Sequence, residues 1–383
     1  MGEGHNNGSG GRGGAMVVTT YAVQDRAAGS PMRVDALMKA LGGAGRLLQP
    51  VPAHPEFAGG AYPVHLGRRK VFGFNWGIFN LLWPGNRATA RRLAKEWGPS
   101  VVVNESVWTH GAFRGLEIPQ VLDAHDVNLQ AVSERFGRAH PYTRLVKAVE
   151  GRAARESERI CCCSEVDAEG FAREYGVSES KLRVVPNGVW VPEAAAEPDS
   201  AALAAKAAAG GRTVLLFMGK LDYAPNVEAL EYLSGELLPE LERRGPGRFE
   251  LWVIGGPGLP RGVGHPALKY HGRVQSVPGW LAAADIMVAP IWSGSGTRLK
   301  VLEFMGARKP MVATPKAVEG LDVADEREGC IVEREGFADA VEWLAAHPAE
   351  AAAMAAAGRE QMKRLYTWEA SGRKWRAALA DWL

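Results

Sequence analysis

The sequence predicts an α/β fold with two doubly wound, parallel-sheet domains, and three observations support this prediction. Short apolar segments alternate with segments of helical spacing along most of the chain, as in parallel sheets. Many apolar segments end in glycine, proline or a small polar residue, and such turns gather on the sheet edge where these folds bind ligands. The alternation also starts afresh at Val214, after a stretch rich in alanine, glutamate and proline.

Composition indicates an ordinary globular protein. The chain has 383 residues, of which 46% are hydrophobic and 23% charged, and its net charge of +2 gives no reason to expect a nucleic-acid partner. We expect neither a transmembrane span, which needs roughly 18 apolar residues, nor a secretory signal. Three of the four cysteines are consecutive, at 161–163, and fit neither a disulfide framework nor a metal site. Reduced, buried thiols and a cytoplasmic location are therefore expected.

Changes in composition predict the boundaries of the parts. They are a disordered tail (1–14), a first domain (15–190), a linker with a peripheral helix (191–211), a second domain (212–360) and a C-terminal helix (361–383). A cleft between two such domains is the expected ligand site.

The first domain opens with a strand at 15–20, a loop ending in Gly29, Ser30 and Pro31, and a helix to residue 41. Arg33 lies in the first turn of this helix, where the partly positive helix start disfavours a cation unless an anion is near. A surface arginine is the alternative interpretation. Residues 54–63 are predicted to be a loop. Further strands are predicted at 47–51, 100–103, 121–123, 160–163 and 182–185, and helices at 86–97, 141–158 and 165–175.

A basic and aromatic stretch covers residues 68–97. It carries arginines and lysines around tryptophans and phenylalanines, which could rest on an anionic membrane surface. An ordinary helix with cations on its solvent face is the alternative. His125 follows the strand at 121–123, at the sheet edge where ligands bind, although a lone histidine can equally be structural.

The second domain is predicted to have strands at 214–218, 250–254, 268–271, 286–289, 310–313 and 330–332. Helices are predicted at 226–241, 280–284, 338–344, 349–365 and 370–383. After the strand at 286–289, residues 293–306 form a glycine-rich turn and a helix start. Thr297 is the predicted N-cap. Arg298 and Lys300 follow it, the wrong charge for a helix start unless a phosphate binds between them. Glu303 lies further along, placed to accept hydrogen bonds from sugar hydroxyls.

Known phosphate motifs do not explain this turn. A dinucleotide-binding pattern starting at Gly294 would need a small residue at Leu299, and the chain has no P-loop sequence. No spacing of histidine, cysteine or carboxylate residues indicates a metal site.

The second half resembles the retaining family-4 glycosyltransferases of the GT-B fold. The matching stretches are residues 217–230, 270–290, 294–314 and 319–321, with 183–189 and 123–128 in the first half. The resemblance implies two Rossmann-like domains, with the C-terminal helix (361–383) packing back on the first domain. It also implies an enzyme (a hexosyltransferase) that moves a sugar from a nucleoside-diphosphate sugar to an acceptor hydroxyl with retention of configuration. The acceptor could be a polysaccharide, glycan, lipid-linked sugar or small molecule. The sugar nucleotide is a co-substrate, and neither a metal nor another cofactor is expected.

The resemblance also implies roles for individual residues. The second domain would hold the donor and the first would face the acceptor. His125 and Glu303 would be catalytic, with Glu303 also on the donor ribose. The other implied donor contacts are Gly219, Lys220, Arg273, Val274, Ser295, Gly296, Thr297, Arg298 and Lys300, and the implied acceptor or first-loop contacts are Gly29, Ser30, Arg33 and His110.

Two positions depart from the family pattern. Ser295 stands where the family usually has a glutamate that contacts the sugar, and Pro225 stands where it usually has a lysine. Arg298 and Lys300 are candidates to replace that cation. These departures leave the identity of the sugar open. They also leave two other functions open, a sugar-nucleotide epimerase of the same fold and a degenerate nucleotide-sugar-binding protein.

Overall fold

The computed structural model describes residues 13–24, 29–64, 70–71, 74–190, 197–294 and 296–383. Residues 1–12 of the predicted tail, Arg68 and Arg69 of the basic stretch, residues 191–196 of the linker, and Ser295 lie outside this range. The chain forms two compact units. Unit 1 comprises Met1–Pro186 with Trp368–Leu383, and unit 2 comprises Asn187–Thr367.

Within the described residues, unit 1 is built on a seven-stranded parallel sheet with the order β3-β2-β1-β6-β7-β8-β9. The strand order reverses between β1 and β6, so the loops after these two strands diverge. The strands of the sheet are β1 (Ala15–Val18), β2 (Gly45–Pro50), β3 (Gly59–Tyr62), β6 (Val101–Asn104), β7 (Gln120–Ala124), β8 (Arg159–Cys162) and β9 (Leu182–Val184), and a separate antiparallel pair is formed by β4 (Lys70–Val71) and β5 (Phe74–Asn75).

Helices cover this sheet and add aromatic side chains to the core of unit 1. They are α1 (Gly29–Leu41), α2 (Pro84–Trp97), α3 (Val107–Phe113), α4 (Asn128–Phe136), α5 (Pro141–Glu156), α6 (Glu165–Tyr175) and, from the end of the chain, α15 (Trp368–Leu379). The Ser164 side chain accepts from the Asp167 backbone N–H and caps α6, as its sequence position suggests. Helix α15 places Trp368 and Trp375 in the core beside residues of α1.

Unit 2 has, in its described residues, a six-stranded parallel sheet with the order β12-β11-β10-β13-β14-β15. Here the order reverses between β10 and β13. Strand β10 is apolar almost throughout because both faces of the sheet are covered by helices. The strands are β10 (Thr213–Met218), β11 (Phe249–Ile254), β12 (Leu268–Gly272), β13 (Ile286–Ala289), β14 (Met311–Ala313) and β15 (Cys330–Ile331).

The helices of unit 2 follow its strands in the expected alternation. They are α7 (Ser200–Ala208), α8 (Ala224–Tyr232), α9 (Leu238–Arg244), α10 (Val277–Ala283), α11 (Leu299–Gly306), α12 (Pro315–Val318), α13 (Phe337–Ala346) and α14 (Pro348–Leu365). A π-helical segment, Leu233–Leu237, joins α8 to α9. Short 3₁₀ helices occur at Gly42–Ala44, Trp76–Leu82, Glu179–Lys181 and Arg334–Gly336. The two sheets confirm the predicted fold class.

The predicted loop over residues 54–63 is wrong in its last part, because Gly59–Tyr62 forms β3. The apolar pattern of a strand is missing there because two of its four residues are glycines. Strand β3 pairs with β2 so closely that a Cβ atom at Gly59 would lie 1.9 Å from the Leu47 carbonyl oxygen. The glycines that hide the strand in the sequence are therefore what allows it to pair.

Candidate functional site

In unit 2 the candidate residues lie on loops at the carboxyl edge of the sheet, beginning at the switch point. The loop after β10 carries Gly219 and Lys220, and Lys220 is exposed with its Nζ 3.5 Å from Asp222. Asn226, in the first turn of α8, donates from Nδ2 to the Lys220 carbonyl at 2.9 Å. A Cβ atom at Gly219 would lie 2.7 Å from that same Nδ2. A glycine is thus required for this loop to approach α8.

The loop after β13 diverges from the loop after β10 at the switch point, where doubly wound sheets bind ligands. Gly294 and Gly296 have φ values of 91° and 78°, which favour glycine. A Cβ atom at Gly294 would lie 2.8 Å from the Tyr223 hydroxyl and 3.0 Å from Pro225 Cγ. Pro225, which occupies the family's lysine position, therefore packs beside this glycine turn. Ser295 lies outside the described residues.

The helix start differs from its prediction at Thr297. Helix α11 begins at Leu299, its N-cap residue is Arg298, and no side chain caps it, so the predicted Thr297 cap is wrong. The Arg298 guanidinium is buried and donates to the carbonyls of Gly294 (2.7 Å), Ser293 (3.2 Å) and Gly296. Arg298 holds the turn in shape, and this moves the helix start past Thr297. Thr297 Oγ1 is buried and has no hydrogen-bond partner among the described residues.

Lys300 is the cation that α11 directs towards α8. Its Nζ donates to Asn226 Oδ1 at 2.7 Å and lies 4.3 Å from the centre of the Phe217 ring. Burial, with a contribution from Arg298, lowers the pKa of Lys300 to about 7. Burial also raises the pKa of Glu303 to about 7, and the neighbouring Lys300 opposes that rise. Both groups are thus poised to change charge when an ionic ligand binds.

Arg273 and Val274 follow β12 at the same edge of the sheet. The Arg273 side chain is exposed and lies along Gly256, where a Cβ atom would be 2.7 Å from Arg273 Nε. The Gly256 carbonyl accepts a 2.7 Å hydrogen bond from the Leu221 backbone N–H. This bond ties the loop after β11 to the loop after β10. The described donor-side candidates are therefore carried by neighbouring, linked loops of unit 2.

Unit 1 places His125 directly after β7, with both ring nitrogens engaged. Nδ1 lies 3.0 Å from Ser30 Oγ, in the first turn of α1 beside Gly29, and Nε2 lies 2.9 Å from Glu105 Oε2. Asp123 Oδ2 is 4.0 Å from Nε2. Burial lowers the pKa of His125 to about 4, so the ring is neutral near pH 7. The structure thus brings His125 and Ser30 together, and their contacts with a ligand stay a prediction.

Arg33 is buried in unit 1, whereas its place in the sequence suggests a side chain at an open helix start. Its guanidinium is buried and donates to both oxygens of Asp123, at 2.8 Å and 2.5 Å, and to the Val185 carbonyl at 2.9 Å. The Trp375 ring lies 4.7 Å from its Cζ atom. The alternative interpretation of Arg33 as a surface arginine is therefore wrong, because its charge is paired with Asp123 inside unit 1. Its contact with a ligand phosphate stays a prediction.

His110 does not join His125. It is buried on α3, and its nearest charged partner is Glu156, 3.9 Å from Nδ1. Burial is the main cause of its lowered pKa. The structure thus places His110 towards the end of α5 that carries Glu156, which gives no support to the predicted acceptor contact.

Two residues of these sites escaped the sequence reasoning, Glu105 and Asn226. Glu105 follows β6 directly and could have been found by the rule that selected His125, since both end a strand of the same sheet. Asn226 forms hydrogen bonds with both Lys220 and Lys300, which are 80 positions apart in the sequence. Only the fold reveals that it links them.

Three features of the described residues bear on the expectations for thiols, membrane spans and metal sites. All four cysteines are buried and free. None of the helices described is long and apolar enough to cross a membrane. Glu105, Asp123 and His125 bring potential metal-ligating atoms within 4.8 Å of one another, but Arg33 holds both oxygens of Asp123.

Comparisons with known structures define the class of this fold. The Anabaena protein HepE in complex with UDP and glucose is similar over 96% of this chain and 99% of that chain, with a TM-score of 0.70 and 13% identity. Sucrose-phosphate synthase from Thermosynechococcus elongatus is similar over 97% and 99%, with a TM-score of 0.73 and 17% identity. At these identities the likeness concerns the fold alone, and that fold is GT-B.

Sequence comparisons define the family. Residues 32–191 match Glycosyltransferase Family 4, and residues 212–347 match Glycosyl transferases group 1. The chain belongs to the family-4 glycosyltransferases of the GT-B fold. It is 28% identical over 253 residues to a D-inositol 3-phosphate glycosyltransferase of Saccharomonospora viridis and 28% identical over 249 residues to one of Segniliparus rotundus. Each match covers 60% of this chain but only 56% and 53% of those relatives, so the chain matches little more than half their length.

Proposed function

We propose that this protein is a retaining glycosyltransferase that moves a sugar from a nucleoside-diphosphate sugar to an acceptor hydroxyl. The observation that carries the proposal is the start of α11. No side chain caps its first backbone N–H groups, and the Thr297 hydroxyl has no partner among the described residues. The partly desolvated Lys300 contacts Asn226, which in turn contacts the loop of Lys220. Such a helix start binds anionic phosphate groups. Two structural neighbours, the complexes of Anabaena HepE with UDP and with UDP-glucose, hold a ligand of this kind.

These groups suit the chemistry of sugar transfer. Breaking the bond between sugar and diphosphate builds negative charge on the leaving group, and fixed donors stabilise that charge more in the transition state than in the ground state. One well-placed donor contributes about 3 kcal/mol. In the proposed retaining reaction the leaving diphosphate takes the proton of the acceptor hydroxyl on the same face of the sugar. Glu303 is proposed to bind the donor ribose.

The substitution of Pro225 for the family lysine fits this proposal. Lys300 reaches across to Asn226, the residue next to Pro225, and so supplies a cation where the family usually has one on α8. We therefore propose that Lys300 stands in for that lysine in contacting the diphosphate. No metal is required in this scheme, because the cations of unit 2 balance the diphosphate charge.

The direct test is a donor screen followed by product analysis. A panel of nucleotide sugars is first screened by thermal shift, since a ligand at 100 times its Kd adds about 2.7 kcal/mol of stability. Transfer is then assayed with the donor that binds, and the anomeric configuration of the product is read by NMR. An anomeric centre unchanged from the donor supports the proposal. Inversion, or conversion of the donor sugar with no acceptor present, contradicts it.

We also propose that unit 1 touches a membrane surface through the start of α2. Leu82 and Trp83 are 40% and 46% exposed, Arg87 is exposed at the start of α2, and Lys95 is exposed in its last turn. Exposed apolar groups beside cations are typical of binding to anionic lipid. Trp83→Ser should reduce sedimentation with anionic vesicles, whereas Trp343→Ser, at a comparably exposed tryptophan in unit 2, should not. Equal sedimentation with neutral and anionic vesicles would remove this proposal.

A further inference from the structure

The Glu105 side chain, which the proposed reaction does not use, is buried against His125. Glu105 follows β6 and is 3% exposed, and its Oε2 lies 2.9 Å from His125 Nε2. Its other oxygen, Oε1, is buried and has no hydrogen-bond partner among the described residues. Burying an ionised carboxylate oxygen without a hydrogen-bond partner costs free energy, and this cost is smaller when the carboxyl group is protonated and neutral. The geometry therefore favours a protonated Glu105.

The surrounding charges point the same way. Arg33 and Asp123 already neutralise each other, so an ionised Glu105 would add an uncompensated negative charge within the buried cluster. Burial first, and then Asp123, raise the pKa of Glu105, while Arg33 acts in the opposite direction. Tyr21, whose hydroxyl donates to the Ser30 carbonyl at 3.3 Å, adds no positive charge at this position.

The protonation of Glu105 decides which nitrogen of His125 carries the ring proton. With its proton on Oε2, the neutral acid donates to Nε2 at 2.9 Å, and the neutral imidazole then carries its hydrogen on Nδ1. Nδ1–H then donates to Ser30 Oγ, 3.0 Å away. His125 is 20% exposed, in contrast to the fully buried Asp123.

We propose that Glu105 is a positioning residue that holds His125 as the Nδ1–H tautomer, so that Ser30, whose Oγ accepts that hydrogen, keeps its own O–H to donate to an oxygen of the bound sugar or acceptor. The inference rests on the proposed function for its role in transfer, although the tautomer itself does not depend on it. Glu105 thus acts through His125 and does not contact the substrate.

The experiment begins with the tautomer in the full-length protein. The chain is labelled with ¹⁵N-histidine, the His125 signal is assigned by its loss in His125→Ala, and long-range ¹H–¹⁵N correlations identify the protonated nitrogen. We expect a protonated Nδ1 in the wild type and in Glu105→Gln, whose amide can still donate to Nε2. Glu105→Leu removes the donor and should shift the signals towards a mixture of tautomers. A wild-type ring protonated on Nε2 overturns the proposal, even if Glu105→Leu does not fold.

Transfer kinetics then separate positioning from packing. Glu105→Gln should keep kcat within about threefold of the wild type, and Glu105→Leu should lower kcat by about 10-fold to 100-fold with little change in donor KM. Wild-type kcat in Glu105→Leu, with His125→Ala impaired, would overturn the positioning role. Absence of transfer by the wild type with every donor would count against the proposed function instead, and the NMR result would still decide the tautomer.

Discussion

Replacing Asp123 by alanine tests the buried ion pair of unit 1. Asp123 is fully buried, and both its oxygens accept hydrogen bonds from Arg33, which is 1% exposed. The substitution removes the carboxylate that pairs with the buried guanidinium, while the Val185 carbonyl and the face of Trp375 remain, and arginine cannot escape by losing its proton. We expect the free energy of unfolding to fall by about 3 to 5 kcal/mol. That is a large share of the roughly 5 to 15 kcal/mol that stabilises a domain.

The double variant Arg33→Met/Asp123→Leu isolates the charge effect. Apolar residues of similar volume leave no unpaired charge, so this variant should be more stable than Asp123→Ala. Arg92→Ala is the matched control, because the Arg92–Glu96 pair is 59% and 50% exposed and should contribute less than about 1 kcal/mol.

The assay is urea unfolding followed by hydrogen exchange of peptides from β1 and β7, which report on unit 1 alone. Peptides from β10 should keep their wild-type midpoint. The reasoning is refuted if Asp123→Ala lowers the free energy of unfolding by less than about 1 kcal/mol. It is also refuted if the double variant loses as much stability as Arg33→Met and Asp123→Leu lose together.

Three further predictions concern a helix start, the donor site and metal dependence. Glu150→Ala should lower the free energy of unfolding, measured by urea titration, by about 3 kcal/mol or more. The reason is that the buried carboxylate accepts hydrogen bonds from the Asn128 and Leu129 backbone N–H groups at the start of α4. A loss of less than about 1 kcal/mol would contradict this prediction. Nucleotide-sugar affinity, measured by calorimetry, should fall as the pH rises from about 6 to about 8, because Lys300, with its pKa lowered to about 7, is charged below that pH and loses its charge above it. The pH dependence should be weaker in Lys300→Arg, and an affinity that rises with pH would contradict the assignment. Excess EDTA should leave the transfer rate unchanged, and a loss restored by Mg²⁺ would refute the metal-free proposal.

Most of the helices and strands could be predicted from local patterns in the sequence. Residues 165–175 were predicted as a helix and form α6 with the same bounds, because a capping serine, helical spacing and a following glycine are all local signals. Strand β3 was missed because its two glycines remove the apolar pattern. The signal for β3 lies in its contact with β2, which a single segment cannot show.

The positions of the candidate sites could be predicted from the sequence, but the partners of their individual side chains could not. The rule that ligands bind at the carboxyl ends of parallel strands located the turn at Gly294 and the strand end at His125. It could not reveal that Arg33 pairs with Asp123, 90 positions away, or that Arg298 folds back on its own loop. The charges of both arginines were visible in the sequence, whereas their partners within the protein were not.

The central claim is that the start of α11 in unit 2 binds the diphosphate of the donor. The most direct measurement is isothermal calorimetry of a nucleoside-diphosphate panel, including UDP, with the wild type, Lys300→Met and the control Lys363→Met on the exposed face of α14. We predict that one diphosphate binds, that Lys300→Met weakens its Kd by about 10-fold to 100-fold, and that Lys363→Met leaves it unchanged. Wild-type affinity in Lys300→Met, or no binding by any nucleoside diphosphate, would contradict the claim.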